Sequence, residues 1–199
     1  MKRLFAGLSI IILTPFLFCL PVYAGVPLET VRTNVNKVLD VLRDPALKAE
    51  LAKEVKKDKL KPMYKRMFDD VELSKRSLAR HWNNMNAAQR QEFVQLFRQV
   101  LEKAYADKIL SYTDEKIVFD KEILLTENRA EVQTRVIISS KEIPVSYRVI
   151  LKEGIWKVYD VVIENVSLVQ NYRTQFNDIL AKHTPDQLLE ILQKKVKEQ

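Results

Sequence analysis

The hydrophobic period of this chain changes near Lys116, from a helical repeat to alternation, and this change limits the folds open to it. Before Lys116, apolar residues recur at helical spacing. After it come four runs rich in β-branched and aromatic residues, namely KIVF, AEVQTRVIIS, IPVSYRVIL and IWKVYDVVI. Short turn segments at 139–142 and 153–154 predict hairpins. The sequence therefore predicts an α+β fold, with a twisted antiparallel sheet of about four strands packed against several helices.

Three helix starts carry recognisable capping signals. Asn86 and Gln89 have the spacing of a capping box, and the pairs Ser167–Gln170 and Thr184–Gln187 repeat it further along the chain. The helix that follows Asn86 carries one continuous apolar face, formed by Phe93, Leu96, Phe97, Val100, Leu101, Ala104 and Tyr105. We therefore expect a long helix before the sheet and two shorter helices after it.

Residues 1–24 have the pattern of a secretory signal peptide. Lys2 and Arg3 form a basic tip, an apolar run continues through Leu20, and the VYA segment offers small residues for cleavage after Ala24. Removing 24 of 199 residues leaves 175, the size of a single domain spanning residues 25–199. The prediction is an exported, periplasmic protein, and an uncleaved membrane anchor is the alternative.

The composition excludes several functional classes. Cys19 is the only cysteine and lies within the signal segment, so the processed chain has neither a disulfide scaffold nor a thiol nucleophile. Removing Lys2 and Arg3 lowers the formal net charge from +7 to +5. That balance suits anionic lipid headgroups or an acidic partner, and nucleic acid is not expected. With three glycines in all, the chain has no glycine-rich phosphate loop.

A dense lysine run lies in the first half of the chain. It comprises Lys53, Lys56, Lys57, Lys59, Lys61, Lys65 and Arg66. Such a run is usually a solvated helical face. The alternative is a surface that docks onto a partner or contacts lipid headgroups.

The sequence contains no convincing catalytic or metal site. His81 and His183 are far apart and neither has a second ligand at metal spacing. The best catalytic candidate is Tyr159 with Asp160, aided by Tyr147. Adjacent strand residues point to opposite faces, so we expect Asp160 at the surface or at a sheet edge. The chain is therefore predicted not to be an enzyme and to need no metal or cofactor.

Two long segments together resemble a known family. They are FDDVELSKRSLARHW with AAQRQEFVQLFRQVLEKAYADKILSY, and VSYRVILKEGIWKVYDVVIENVSLVQNYRTQF. Their combined order resembles the periplasmic phospholipid-binding subunit of the Mla (maintenance of lipid asymmetry) system, also called the toluene-tolerance family. The resemblance covers most of the chain after residue 24. It is weakest in the lysine-rich region.

The resemblance implies a carrier that holds a phospholipid by its acyl chains, in an apolar cavity between the sheet and the helices. The implied partners are the substrate-binding-domain subunit of an inner-membrane ABC transporter and an outer-membrane lipoprotein complex. By analogy, the lipid-binding residues are Phe93, Phe97, Leu101, Tyr105, Val145, Tyr147, Val149, Val158 and Val166. Across the turn at 153–154 the strand parity is open, so either Val158 or Tyr159 faces inward.

Two other functions remain open from the sequence. One is a periplasmic enzyme on a cone-shaped, NTF2-like α+β fold that acts on a hydrophobic ligand. The other is an interaction protein whose apolar residues fill an ordinary core and whose lysine run is the docking surface. The presence of an unfilled apolar cavity would distinguish the carrier hypothesis from the hypothesis of an interaction protein with a filled core.

Overall fold

A computed structural model describes residues 26–47, 52–112 and 115–198 of the chain. The helices of these ranges are α1 (Pro27–Arg43), α2 (Lys53–Met67), α3 (Asp70–Leu78), α4 (Ala87–Leu110), α5 (Leu168–Leu180) and α6 (Pro185–Glu198). The strands are β1 (Lys116–Thr126), β2 (Arg129–Ile138), β3 (Lys141–Lys152), β4 (Ile155–Ile163) and β5 (Val166–Ser167). Short 3-10 segments follow α1 and α3. The signal peptide predicted at residues 1–24 lies outside the described residues.

The sheet confirms the α+β fold and is one strand larger than predicted. Its strands pair antiparallel in chain order, β1-β2-β3-β4-β5, and the added fifth strand is two residues long. The turns at the ends of β2 and β3 are where the sequence predicts them. Glu153 and Gly154 both have positive φ, 51° and 77°, which suits the twist of a tight hairpin and explains the glycine.

The predicted caps are present at all three helices. Asn86 and Gln89 form both bonds of a capping box at the start of α4. Thr184 and Gln187 form the reciprocal pair at α6. At α5 the Ser167 hydroxyl accepts from the Gln170 N–H at 3.0 Å. These bonds satisfy N–H groups that a helix start otherwise leaves without partners.

A β-bulge in β4 resolves the open question of strand parity. Arg148 pairs with Asp160, but the next residue, Val149, pairs with Val158, so Tyr159 is the extra residue. Val158 therefore shares the face of Val149, while Asp160 shares the opposite face with Arg148. Tyr159 is also buried, since only 5% of it is exposed. Val158 and Tyr159, the two residues between which the sequence left the inward position open, are thus both buried.

Two separate hydrophobic clusters form the interior. The helical cluster joins α3–α6 and contains Leu73, Leu78, Met85, Phe93, Phe97, Val100, Leu101, Val169, Tyr172, Phe176, Leu188, Leu189 and Leu192. The sheet cluster joins α1, the end of α2 and one face of the sheet, and contains Val31, Val35, Leu39, Leu42, Met67, Ala130, Val132, Val149, Trp156 and Val158. Phe68 packs against both clusters.

Candidate functional site

The sheet cluster lies between one face of β2–β4 and the apolar side of α1. Ala130, Val132 and Val149 are fully buried there, opposite the Val31–Leu42 side of α1. The carboxylate of Glu122 accepts a hydrogen bond from the Leu28 N–H at 2.9 Å, so β1 anchors the start of α1. An anion at a helix N-terminus also offsets the helix dipole. The position of α1 over the sheet is therefore specified at its first turn.

Around the buried members of the sheet cluster lies a ring of apolar residues that keep some accessible surface. They are Leu28, Val38, Leu60, Phe68, Leu110, Tyr112, Ile117, Phe119, Tyr147, Leu151 and Val161. These partly accessible residues outnumber the buried ones, whereas in the helical cluster the buried residues are the majority. The sheet cluster is thus the more open of the two interiors.

Tyr147 occupies an unusual position in the sheet cluster. It pairs with Val132 across β2 and β3, on the apolar face of the sheet. Burial raises the pKa of Tyr147 to about 12, yet the side chain is only partly covered by surface area. None of the hydrogen bonds found among the described residues uses its hydroxyl. Tyr147 therefore keeps part of its surface accessible on the apolar face of the sheet.

Helix α2 packs over one side of the sheet cluster, and few buried side chains hold it there. Of its fifteen residues only Met67 is buried. Pro62 lies inside the helix and removes one backbone hydrogen-bond donor. Ion pairs tie the helix to its surroundings, one from Lys53 to Asp107 of α4 at 2.9 Å and a looser one from Lys59 to Asp44 at 3.7 Å. Among the described helices α2 thus has the fewest buried residues, which favours local separation of this element.

The structure divides the residues predicted to bind lipid into two groups. Tyr147, Val149 and Val158 belong to the sheet cluster, and Val145, 8% exposed, continues the same face of β3. The four predicted residues of α4 belong to the helical cluster instead: Phe93, Phe97, Leu101 and Tyr105. Val166 joins neither cluster, because it is 61% exposed at the start of β5. The analogy with the resembled family therefore grouped residues that belong to different clusters of the structure.

Aromatic packing explains where the α4 residues lie. The Phe97 ring contacts Phe93, Tyr172 and Phe176 with centroid distances of 5.5, 4.8 and 5.1 Å. Phe93 meets Phe176 edge to face at 5.3 Å. Such pairs are worth about 0.5–1.5 kcal/mol each beyond the buried area. This interlocked group of rings holds α4 against α5.

Site residues that the sequence analysis passed over come from α1 and β4. Val31, Val35 and Leu39 recur at helical spacing and are buried against the sheet, as is Trp156. The spacing shows in the sequence that α1 has an apolar face. It does not show that this face meets the sheet instead of the other helices. The sequence therefore lacks the information that α1 packs against the sheet.

The expectation that Asp160 lies at the surface is wrong. Only 2% of Asp160 is exposed. Its carboxylate accepts hydrogen bonds from the Val169 N–H at 3.0 Å, the Ser167 hydroxyl at 2.7 Å and Arg148 at 3.1 Å. Arg148 also donates to Glu131 at 3.1 Å. This carboxylate therefore ties β4 to the start of α5, and its bonding capacity is taken up by structural contacts.

The proposed catalytic grouping does not assemble. Asp160 pairs with Arg148, and Tyr147 is the neighbour of Arg148 on β3, so Tyr147 and Asp160 project from opposite faces of the sheet. Tyr159 lies beneath the guanidinium of Arg76, which is 4.1 Å from the ring centroid. A tyrosine stacked in this way and a fully bonded carboxylate give no acid–base pair facing a common substrate.

Two solvent-open depressions lie away from α1. One, of about 420 Å³, is lined by residues of α2–α4 and the β3–β4 hairpin: Lys65, Phe68, Asp69, Asp70, Val71, Val94, Lys152, Glu153, Ile155 and Lys157. The other, of about 520 Å³, lies over Arg148 and Asp160 beside α5. No α1 residue lines either one, so neither is the apolar cavity expected between sheet and helices. That cavity stays a prediction.

The part of the chain that the structure describes has neither a cluster of metal ligands nor a membrane-spanning helix. There, no three or more His, Asp, Glu or Cys side chains are grouped so as to bind a metal ion. Within the same residues, every helix is too short or too polar to cross a bilayer.

Comparison with known proteins gives concordant matches. The chain is 28% identical over 121 residues to the intermembrane phospholipid transport system binding protein MlaC of Haemophilus influenzae. This alignment covers 58% of the chain and 56% of the relative, so the chain spans little more than half of that relative's length.

The fold matches a solved structure, that of a phospholipid-binding protein from Ralstonia solanacearum in complex with a phospholipid. The TM-score is 0.76 at 21% identity, over 87% of this chain and 98% of the other. A model of the MlaC protein family matches residues 32–194, which is most of the sequence. The resemblance drawn from the sequence motifs is confirmed, and the chain belongs to the MlaC protein family.

Proposed function

We propose that this protein is a phospholipid carrier that holds acyl chains over the sheet cluster, between the sheet and the α1–α2 layer. The observation that carries the proposal is the open character of this cluster. Tyr147 retains accessible surface inside it, and α2 covers it with a single buried side chain. The tails would lie against Val132, Tyr147, Val149 and Val158.

Membership of the MlaC family and the names of its relatives support this assignment. The matched Ralstonia protein binds a phospholipid, and the Haemophilus relative is named as part of an intermembrane phospholipid transport system. We extend both properties to this chain. In the same proposal, cleavage after Ala24 releases the protein into the periplasm. There it exchanges lipid with an inner-membrane ABC transporter subunit and with an outer-membrane lipoprotein complex.

The energetics of transfer suit a carrier that uses no energy source of its own. Shielding an acyl chain from water is worth about 0.8 kcal/mol per methylene. A two-chain lipid of roughly 30 methylenes therefore gains on the order of 20 kcal/mol in any dry apolar environment. Because the bilayer and the protein offer similar environments, transfer between them is close to neutral. The direction of transport then has to come from the partners.

Lipid entry requires α2 to move away from the sheet. Neither of the two depressions is lined by an α1 residue, and in this proposal the tails occupy room that separation of α2 would provide. The energetic cost is limited, since Met67 is the one buried side chain of the helix and Leu60 is partly buried. Separation also breaks the hydrogen bond from the Tyr64 hydroxyl to Asp70. Residues of the helical cluster, including Phe93 and Phe97, would keep their packing throughout.

Native mass spectrometry with a space-filling variant tests the proposal. The purified wild-type chain should carry mass equal to one or more phospholipids. Val149→Trp places a large side chain where the tails lie, so bound lipid should fall sharply while the protein stays folded. Val166→Trp, at an exposed position outside both clusters, is the matched control and should keep its lipid. Equal occupancy in a folded Val149→Trp protein would contradict the proposed lining, and wild-type protein without lipid would contradict the carrier function.

A further inference from the structure

The positive charge of the chain is concentrated in one helix. Seven of the fifteen residues of α2 are lysine or arginine and two, Glu54 and Asp58, are acidic, which gives the helix a net charge of +5. The chain from Gly25 onward also has a net charge of +5. The remainder of the processed protein is therefore formally neutral. A molecule charged in this way presents α2 first to any anionic surface.

Most of this charge is available to solvent. Lys57 and Lys61 pair with acidic residues of the same helix, at 2.7 and 2.8 Å. Among the described residues, no carboxylate lies within ion-pair distance of Lys56, Lys65 or Arg66. A run of exposed side chains, Lys59, Lys61, Lys65 and Arg66, occupies the second half of the helix. The charge thus lies toward the C-terminal end of α2.

The same end of α2 borders the depression of about 420 Å³ next to the β3–β4 hairpin. Lys65 lines it together with Lys152 and Lys157, and two aliphatic side chains on its lining, Val71 and Ile155, are 51% and 53% exposed. Two of the three acidic residues that line this depression have partners, and the third, Glu153, has no ion pair among the described residues. Asp69 binds Lys152 at 2.6 Å, and Asp70 accepts from the Tyr64 hydroxyl at 2.8 Å. Cationic and exposed aliphatic groups thus occur on one surface.

These features fit a bilayer better than an acidic protein. Six of the seven cations are lysines, which act as hydrated point charges instead of the fixed forks by which arginine recognises a partner carboxylate. Protein interfaces depend on buried aromatic and arginine anchors. On this surface the exposed apolar groups are aliphatic: Val55, Val71 and Ile155. Lysines with scattered aliphatic side chains suit adsorption among headgroups.

We infer that the exposed face of α2, with the rim formed by Lys65, Lys152, Lys157, Val71 and Ile155, is a surface that adsorbs to bilayers containing anionic phospholipid. The choice of a lipid surface over a protein rests in part on the proposed carrier function. Adsorption would also weaken the ion pairs that hold α2 in place. Headgroup phosphates would compete with Asp107 for Lys53 and with Asp44 for Lys59. Contact with the membrane would therefore loosen α2 at the place where lipid has to enter.

Vesicle co-sedimentation of matched charge variants tests this inference. The first variant is Lys59→Gln/Lys61→Gln/Lys65→Gln. The control is Lys182→Gln/Lys194→Gln/Lys197→Gln, which removes three exposed lysines near and within α6 and leaves the same net charge. Both are measured on the chain from Gly25 onward, with vesicles of phosphatidylglycerol and phosphatidylcholine in equal parts, and with phosphatidylcholine alone.

Wild-type protein should bind the mixed vesicles and should not bind vesicles of phosphatidylcholine alone. Its binding to the mixed vesicles should weaken as salt is added. The α2 variant should partition about 100-fold more weakly, since each lysine near an anionic surface contributes about 1 kcal/mol. The control should bind nearly as the wild type does. If both variants lose binding equally, net charge alone is responsible and the inference fails.

Wild-type protein that ignores mixed vesicles would also overturn the inference, and an acidic protein would then be the better partner for α2. The lipid content of the same preparation, read by native mass spectrometry, keeps this result separate from the carrier function. Lipid-loaded protein that ignores vesicles contradicts only the docking surface. Circular dichroism and urea unfolding verify that each variant is folded, and the single variant Lys61→Gln replaces the triple variant if it is not.

Discussion

The two hydrophobic clusters of this protein differ in how completely they are closed. In the helical cluster, interlocked rings around Phe97 are fully buried between α4, α5 and α6. In the sheet cluster, most members keep accessible surface, and α2 covers one side with a single buried residue. Interiors packed without voids resist insertion of new groups, whereas a loosely covered apolar face accepts them. The comparison teaches that the helical half is the more closed of the two interiors, and it is the reason we propose the sheet half as the place of an apolar ligand.

The same division explains why the chain needs both halves. A carrier has to bury its own apolar groups well enough to stay folded when no ligand is bound. Phe93, Phe97, Tyr172 and Phe176 supply that stability away from the site. In the proposed carrier, the sheet face would then be free to exchange its own packing for acyl chains. Stability and exchange would thus depend on different residues.

The largest expected contrast comes from removing one aromatic ring from each cluster. Phe97→Ala should cost about 3–5 kcal/mol of unfolding free energy, because it empties the centre of a close-packed group. Phe119→Ala, in the more accessible sheet cluster, should cost less than about 2 kcal/mol. Urea unfolding followed by circular dichroism measures both. Equal losses would mean that the two interiors are equally closed.

Replacing one valine of each cluster by a larger side chain also tests how completely the two clusters are closed, by adding volume instead of removing it. Val100 and Val149 are both fully buried, one in each cluster. Val100→Trp should cost about 1–3 kcal/mol through overpacking. Val149→Trp should cost less than Val100→Trp, because α2, which buries only Met67, can move outward to make room for the ring. Thermal unfolding of lipid-stripped proteins gives the comparison, and a larger loss at Val149 would reverse our assignment.

Tying α2 to the body of the protein should slow lipid exchange. Because the chain from Gly25 onward has no cysteine, Lys53→Cys/Asp107→Cys can be joined by a cleavable bifunctional reagent. An opening barrier raised by about 1.4 kcal/mol slows exchange about tenfold. Fluorescent-lipid transfer between vesicles is the measurement, and reduction of the reagent should restore the rate.

A cross-link in the helical half is the control for this experiment. Glu92→Cys/Gln193→Cys joins α4 to α6 at a pair whose side chains hydrogen-bond at 2.7 Å in the wild type. It should leave exchange unchanged. Slowing by both cross-links would mean that the helical half also has to move.

The smallest effect concerns acid stability on the polar face of the sheet. Hydrogen bonds from Gln133 and from Arg148 lower the pKa of Glu131 below its ordinary value of 4.5. A carboxyl with a depressed folded pKa contributes stability above its unfolded pKa and loses it as the pH falls through the folded value. Glu131→Gln should therefore flatten the decline in stability below about pH 4.5, by roughly 1 kcal/mol or less. Urea unfolding as a function of pH measures the free energy of unfolding. The same decline at acidic pH in Glu131→Gln and wild type would contradict this role of Glu131.

Much of the fold was predictable because its signals are local. The apolar face of α4 and the Asn86–Gln89 capping box lie within a few turns of chain, and both are as predicted. The tight turn at 153–154 is equally local, since Gly154 accepts the positive φ that the turn requires. The alternation of the strands gave an antiparallel sheet. The two-residue β5 was missed because so short a strand has no period to read.

The candidate site was predictable only in part. Val149 and Val158 share one sheet face because of the bulge at Tyr159, and a bulge depends on how β3 and β4 are aligned across the turn. That alignment also buries Asp160, which the sequence analysis expected at the surface. The aromatic stripe of α4 was read correctly as apolar. Its residues were grouped with the strand residues by analogy with the resembled family, since the sequence does not state which element each apolar face meets.

The sequence by itself determined the elements, their caps, the antiparallel order of the main strands and the concentration of positive charge in α2. Tertiary structure alone decided that Phe97 and Val149 lie in different clusters, that Asp160 is buried, and that α2 covers the open cluster. The physical reason is the range of the interactions. Periodicity and capping act within one element, whereas register and face-to-face packing depend on residues that are distant along the chain and meet only when it folds.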